Sequence, residues 1–359
     1  MRTLKFAASL IPPIARLRDA RDQLLAENAD LRTQLGTAPS VSGTLPPERA
    51  SLIAAIEALL AAQVSQGGNP ADLATELHAM LLARAQHRLF ITDYPYHPEE
   101  RPLAQSASGR AIIAAFERAR PQIAETLAGV ARHIETLGRI PRDATRPLAP
   151  LWNNPWFPPF DGATLYGLIA ENRPRRFIEV GSGISTRFAR QAITDLGLDT
   201  RIISIDPHPH NPIEGLCDEI IVARMEDMPT EFWRGLDASD MLFVDNSHRS
   251  FPASDVTCFF AEVMPALPPG TLFGLHDIFL PDDYPAAWKD RFYSEQYLMM
   301  TYLLGGGGPD DIVLPVNWAT GQPDLFGQLA SLWSRQDIFK GLNLNGGCLW
   351  LRRRTAAIG

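Results

Sequence analysis

From residue 163 to 354, short apolar runs alternate with helix-patterned stretches, and no other feature restricts the fold as strongly. The runs are RRFIEVG (175–181), TRIISID (200–206), DEIIVA (218–223), DMLFVD (240–245) and GTLFGLHDIF (270–279). Helix-like spacing fills STRFARQAITDLG (185–197), SDVTCFFAEVMPAL (254–267) and SEQYLMMTYLL (294–304). Strands separated by crossover helices pair in parallel, so an α/β fold with a doubly wound, mostly parallel sheet is predicted. DDIVLPVN (310–317) and GGCLWLRRR (346–354) follow with no convincing helix between them, which predicts an antiparallel hairpin closing one edge.

Two of the runs end alike. MLFVDNSHRS places Asp245 and His248 just past its apolar residues, and TLFGLHDIF does the same with His276 and Asp277. If the two strands are neighbours, all four side chains meet at the carboxyl edge, where open α/β sheets bind ligands. A buried hydrogen-bond network tying two strand ends together is the alternative reading.

EVGSGIST (179–186) marks the turn from the first strand to the first helix. Gly181 and Gly183 permit close backbone approach, Ser185 or Thr186 can cap the helix, and such a turn offers backbone N–H groups to a ligand. Glu179 is a carboxylate inside an apolar strand end, costly to bury unpaired. Asp206 ends the second strand roughly twenty residues on, where an acid can bind ribose hydroxyls. A nicotinamide fingerprint would need glycine where Thr186 stands.

At this point the residues resemble a family. FIEVGSGIST, ISID, FVDNSH and GLHDIF, in this order, are similar to a class I S-adenosylmethionine-dependent methyltransferase, over residues 150–352. The nearest likeness is to its Asp-x-x-His / His-Asp branch, which includes metal-dependent sugar O-methyltransferases. The resemblance implies a Rossmann-like sheet with a closing antiparallel hairpin. It places the methionine moiety of the cofactor near Glu179, Gly181 and Gly183, with Ser182, Ser185 and Thr186 on the same loop. Asp206 would hold the ribose, and Met225 and Glu226 would meet the adenine. It further implies His248 as base, Asp245 as a catalytic residue, and Asp245 and Asp277 as ligands of Mg2+ or Mn2+. His276 stands where that branch has an acid; it would either join the ligands, favouring transition metals, or orient the acceptor. The acceptor expected is a small hydroxylated molecule of saccharide type. Asp282, Asp283, Tyr284 and Trp288, after the fifth run, would suit one.

The first half reads differently. Leu10, Leu17, Leu24 and Leu31 repeat by seven, as do Ile14, Arg21, Asn28 and Leu35, so 1–36 is either a dimerising coiled coil or a surface helix. A homodimer through this helix is the partner it would imply. GTAPSVSGTLPPE (36–48) is a linker, 48–141 a helical domain, and 142–162 a connection rich in Pro, Trp and Phe; the methyltransferase domain is placed at 163–354. That aromatic connection either aprons the next domain or walls the substrate. With 33 basic and 41 acidic residues and no basic stripe, a nucleic-acid partner is not expected. Pro12-Pro13 interrupts the only leader-like run, and no stretch approaches the ~20 apolar residues of a membrane span. The cysteines Cys217, Cys258 and Cys348 form no CxxC pair, which suits a reducing cytoplasm better than a zinc or disulfide framework.

Overall fold

The computed structural model describes residues 101–209, 213–305 and 310–354, together with Ala79 and Glu99. The heptads of 1–36 and most of the helical stretch 48–141 lie outside the described residues. The chain divides into two compact units, Met1–His97 and Pro98–Gly359, and everything below concerns the second.

Each apolar run became a strand: β1 Arg176–Val180, β2 Arg201–Ile205, β3 Glu219–Ile221, β4 Asp240–Val244, β5 Leu272–Leu275, β6 Asp310–Pro315 and β7 Leu349–Arg353. They form one sheet in the order β3-β2-β1-β4-β5-β7-β6. The first five pair in parallel, and β7 runs antiparallel to both β5 and β6. All of β4 and all but the first residue of β1 and β2 are buried, as continuous apolar runs require when both faces of a parallel sheet are covered. The expected α/β class and Rossmann-like sheet are therefore present. The two late strands are not a tight hairpin, however. The chain from Pro315 to Leu349 folds into short helical turns, among them Val316–Thr320, Pro323–Phe326 and Gln336–Phe339, whose lengths fall below what helical periodicity reveals in a sequence.

Four longer helices matter for the site: α1 Ala107–Ala131, α2 Pro159–Asn172, α3 Ile184–Leu196 and α4 Glu295–Leu304. α1 starts at Ser106, whose side chain accepts from Gly109 N, and buries Ile112, Phe116, Ile123, Leu127 and Val130 along one stripe. It packs on α2, β6 and α4. The helix that sequence spacing assigned to a separate domain ending near 141 thus lies in the unit that holds the sheet, whose boundary falls at Pro98.

Pro159 opens α2, where a missing N–H costs nothing. The aromatic connection before it packs partly as the expected apron. Trp152 and Phe157 are buried against Phe188, and Trp152 also meets Phe339, while Trp156 is 69% exposed. Asn154 fixes that difference: its Oδ1 accepts from Trp156 N and Phe157 N, and its Nδ2 donates to the carbonyls of Leu151 and Phe157.

Candidate active site

β1, β4 and β5 are neighbours, with Val180 opposite Val244 and Val244 opposite Leu275, so the residues following all three emerge side by side. The glycine turn and the first acid touch. Gly181 has φ +78°, and a Cβ there would stand 1.9 Å from the Asp245 carbonyl oxygen. Asp245 N donates to Val180 O at 2.9 Å. Only glycine permits that backbone angle and that contact together.

Around the turn, Ser182 N donates to Asp206 Oδ2 at 3.0 Å, and Ser182 and Ser204 share a hydroxyl hydrogen bond. Asp206 Oδ1 accepts from His208 N. Thr186, not Ser185, makes the capping contact: its Oγ1 accepts from Gly183 N at 2.9 Å and donates to Glu179 Oε2. Glu179 is fully buried, and among the described residues no hydrogen bond of normal geometry reaches its other oxygen. Burial pushes this carboxyl up to about 8, against the lowering effect of the Ser185 and Thr186 hydroxyls. A buried carboxylate oxygen without a donor is suited to an incoming cation such as an ammonium group. Met225 is buried and Glu226 is half-buried beside it in the turn Met225–Asp227.

Beside this turn lies a knot of carboxylates and imidazoles. His248 Nε2 is 3.2 Å from Asp245 Oδ1 and 3.5 Å from Asp277 Oδ2, and its Nδ1 is 3.0 Å from Glu295 Oε2. His276 Nδ1 is 3.3 Å from Asp245 Oδ1 and 3.6 Å from Asp277 Oδ1. Both rings are buried. Burial alone would lower the His248 imidazole, but the Asp245 and Glu295 carboxylates outweigh it and raise the ring to about 10. His276 is likewise raised, the charges of Asp277 and Asp245 overcoming its burial. Burial pushes Asp245 up, yet the imidazoles hold it well below the usual carboxylate range. His248 and Asp277 adopt positive φ, 58° and 55°, conformations that persist only where surrounding contacts enforce them.

Two members of this knot were not among the residues expected. Glu295, fully buried in the first turn of α4, sets its Oε2 against His248 Nδ1 and donates its backbone N–H to His248 O, and Asn246 Nδ2 donates to its second oxygen at 2.9 Å. Asp161, in the first turn of α2, accepts from Gly347 N and Cys348 N and stands 3.6 Å from His276 Nε2. The sequence signal for both is slight: each is an acid at the start of an otherwise apolar helix.

The donors expected for a divalent cation are not gathered around one point. His248 and His276 each approach both Asp245 and Asp277 to within 3.6 Å. Among the described residues, the group of metal-type donors that closes to within 4.8 Å is instead Asp161, His276 and Cys348. There the Asp161 carboxylate is already committed to two backbone amides, so it works as a clamp on the Gly346–Cys348 segment.

A cavity of about 910 Å3 opens over the knot. Asp245, His248, His276 and Asp277 form its floor, and its walls include Trp156, Asn153, Asp282, Asp283, Trp288 and Asn317. Tyr284 lies outside the wall, packed edge-on against Phe279 and Tyr293. His208 is exposed beside Asp206, and His210 lies outside the described residues.

Residues 178–278, which carry the glycine turn and the whole knot except Glu295 and Asp161, match the family model described as a methyltransferase domain. This segment is a methyltransferase domain. No curated protein matches the chain. Among solved structures, the methyltransferase domain is similar to a Podospora anserina methyltransferase bound to S-adenosylhomocysteine. That match has 14% identity and a TM-score of 0.33, and covers 74% of this chain and all of that one. Another is the O-methyltransferase of tomaymycin synthesis from Streptomyces achromogenes, in complex with S-adenosylmethionine, with 15% identity and a TM-score of 0.32. It covers 70% of this chain and all of that one. Overlaps of this size say nothing about acceptor or mechanism. Among the described residues no helix is long and apolar enough to cross a membrane.

Proposed function

We propose that the protein is an O-methyltransferase whose acceptor is a small hydroxylated molecule of saccharide type, with His248 as the base. One arrangement carries this reading: His248 has its Nδ1 engaged by buried Glu295 and its Nε2 on the floor of the cavity, beside the Gly181 turn. S-adenosylmethionine, when bound, supplies a methyl carbon on a sulfonium. Glu179, with its unpartnered oxygen, Gly181, Gly183 and Asp206 are the residues that would hold it.

The cavity walls would place the acceptor hydroxyl, and His248 Nε2 would take its proton as the bound cofactor supplies the methyl group, the carbon–sulfur bond breaking to leave the neutral thioether. Glu295 keeps the ring in the orientation and tautomer this needs, as an acid on the far nitrogen of a catalytic histidine does. Asp245, held ionised, stabilises the imidazolium that results. No step requires a cation, because the imidazoles already balance Asp245 and Asp277. The walls suit a sugar: Trp156 offers an exposed ring, and Asn153, Asp282 and Asn317 offer polar groups for hydroxyls.

The test is His248→Ala. It should bind S-adenosylhomocysteine as the wild type does and transfer methyl groups about 10²–10⁴ times more slowly. Undiminished turnover removes His248 from the mechanism.

A further inference from the structure

We propose that the cavity contains an anion-binding subsite built on Arg291, and that the acceptor is a saccharide carrying a carboxylate or a phosphate. The inference rests on reading the cavity as the acceptor site. Arg291 is a cavity wall residue. Its Cζ lies 4.1 Å from the Trp288 ring centroid and 5.6 Å from that of Tyr293. Among the described residues its guanidinium has neither an ion pair nor a hydrogen bond, although four carboxylates line the same cavity.

Those carboxylates are engaged elsewhere. Asp283 Oδ1 accepts from Tyr284 N and from the Tyr297 hydroxyl, and Asp282 Oδ2 accepts from Asn317 Nδ2. Asp245 and Asp277 face the two imidazoles. The segment that carries Arg291 is held in place: Arg249 Nε donates to Arg291 O at 2.8 Å and its guanidinium lies 5.0 Å from the Tyr293 centroid. A guanidinium stacked on a ring keeps its N–H groups in its own plane, pointing past the aromatic edge, where a planar or tetrahedral anion can take two at once.

The subsite also has a defined relation to the base. Tyr293 is 4.7 Å from the His248 ring, centroid to centroid, and the guanidinium approaches the same tyrosine. Base and cation therefore both approach one aromatic ring. One sugar unit bridges that gap with a hydroxyl at His248 and an acidic substituent at Arg291. Uronates and sugar phosphates share this chemistry.

Calorimetric titration of the full chain, saturated with S-adenosylhomocysteine, tests the proposal with glucose, glucuronate, glucose 6-phosphate and inorganic phosphate. The wild type should bind at least one acidic sugar about tenfold or more tightly than glucose. Arg291→Gln, shown folded by its melting curve, should abolish that preference, and Arg291→Lys should restore part of it. Equal affinity for glucose and both acids overturns the proposal while leaving the saccharide reading intact. A preference that survives in Arg291→Gln, or silence from every probe, overturns it as well. Inorganic phosphate binding that is lost in Arg291→Gln, with no sugar bound, keeps the anion subsite and removes the saccharide reading instead.

Discussion

At the scale of single residues, the site is governed by how few charges are left to water. His248 is raised to about 10 by the acids on its two nitrogens, so at neutral pH most of it holds a proton. Turnover should therefore rise with pH on the alkaline side. Glu295→Gln removes one of the raising charges and should shift this rising limb to lower pH, while lower ring order reduces the plateau. An unchanged limb in that variant would show that Glu295 does not act through His248. Glu179 gives a second pH signature. Its carboxyl titrates near 8 in the fold and at its ordinary lower value once unfolded. Ionisation thus favours the unfolded chain, and the contribution of this group to stability falls as pH rises from the ordinary carboxylate range to about 8. Glu179→Gln, without cofactor, should melt roughly 3–8 °C above wild type at pH 8.5 and show little gain at pH 5. Equal differences at both pH values would contradict this. Because the imidazoles balance Asp245 and Asp277, dialysis against a chelator should leave transfer activity intact; loss restored by Mg2+ or Mn2+ would return the cation to the mechanism.

At the scale of elements, four strand ends and three helix starts make the site. Gly181 joins two of them, and Gly181→Ala adds a Cβ 1.9 Å from the Asp245 carbonyl at a φ that disfavours side chains. The β1 turn and the Asp245 backbone must then separate, which should cost about 2–4 kcal/mol in denaturant unfolding and abolish cofactor binding. Wild-type stability would mean that the contact is not as tight as described. What the sequence made legible follows the same division. β1, β4 and β5 could be read because a buried parallel strand is a continuous apolar run, and an Asp or His ending such a run stands out. Hence Asp245, His248, His276 and Asp277 could be placed together before any coordinates. Glu295 and Asp161 could not, since an acid in the first turn of a helix is ordinary and only the tertiary fold shows which ring it meets. The link between β6 and β7 was illegible for another reason: its helical turns of four or five residues are too short to show a period.

At the scale of the whole molecule, the compact unit Pro98–Gly359 contains the sheet, the cavity and every residue of the proposed site. A chain of residues 98–359 should accordingly fold and bind S-adenosylhomocysteine with the affinity of the full protein, as calorimetry would measure. Loss of binding would show that Met1–His97 contributes to the cofactor pocket. The proposed chemistry depends on a shared rim, with the nucleoside pocket at the glycine turn opening directly onto the imidazole held by Glu295. A crystal structure with S-adenosylhomocysteine measures this most directly. The thioether sulfur should lie against the Gly181–Gly183 turn and face His248 Nε2 across a gap that admits one acceptor hydroxyl. A sulfur turned away from His248, or a cofactor seated off the carboxyl edge of β1 and β4, would contradict it.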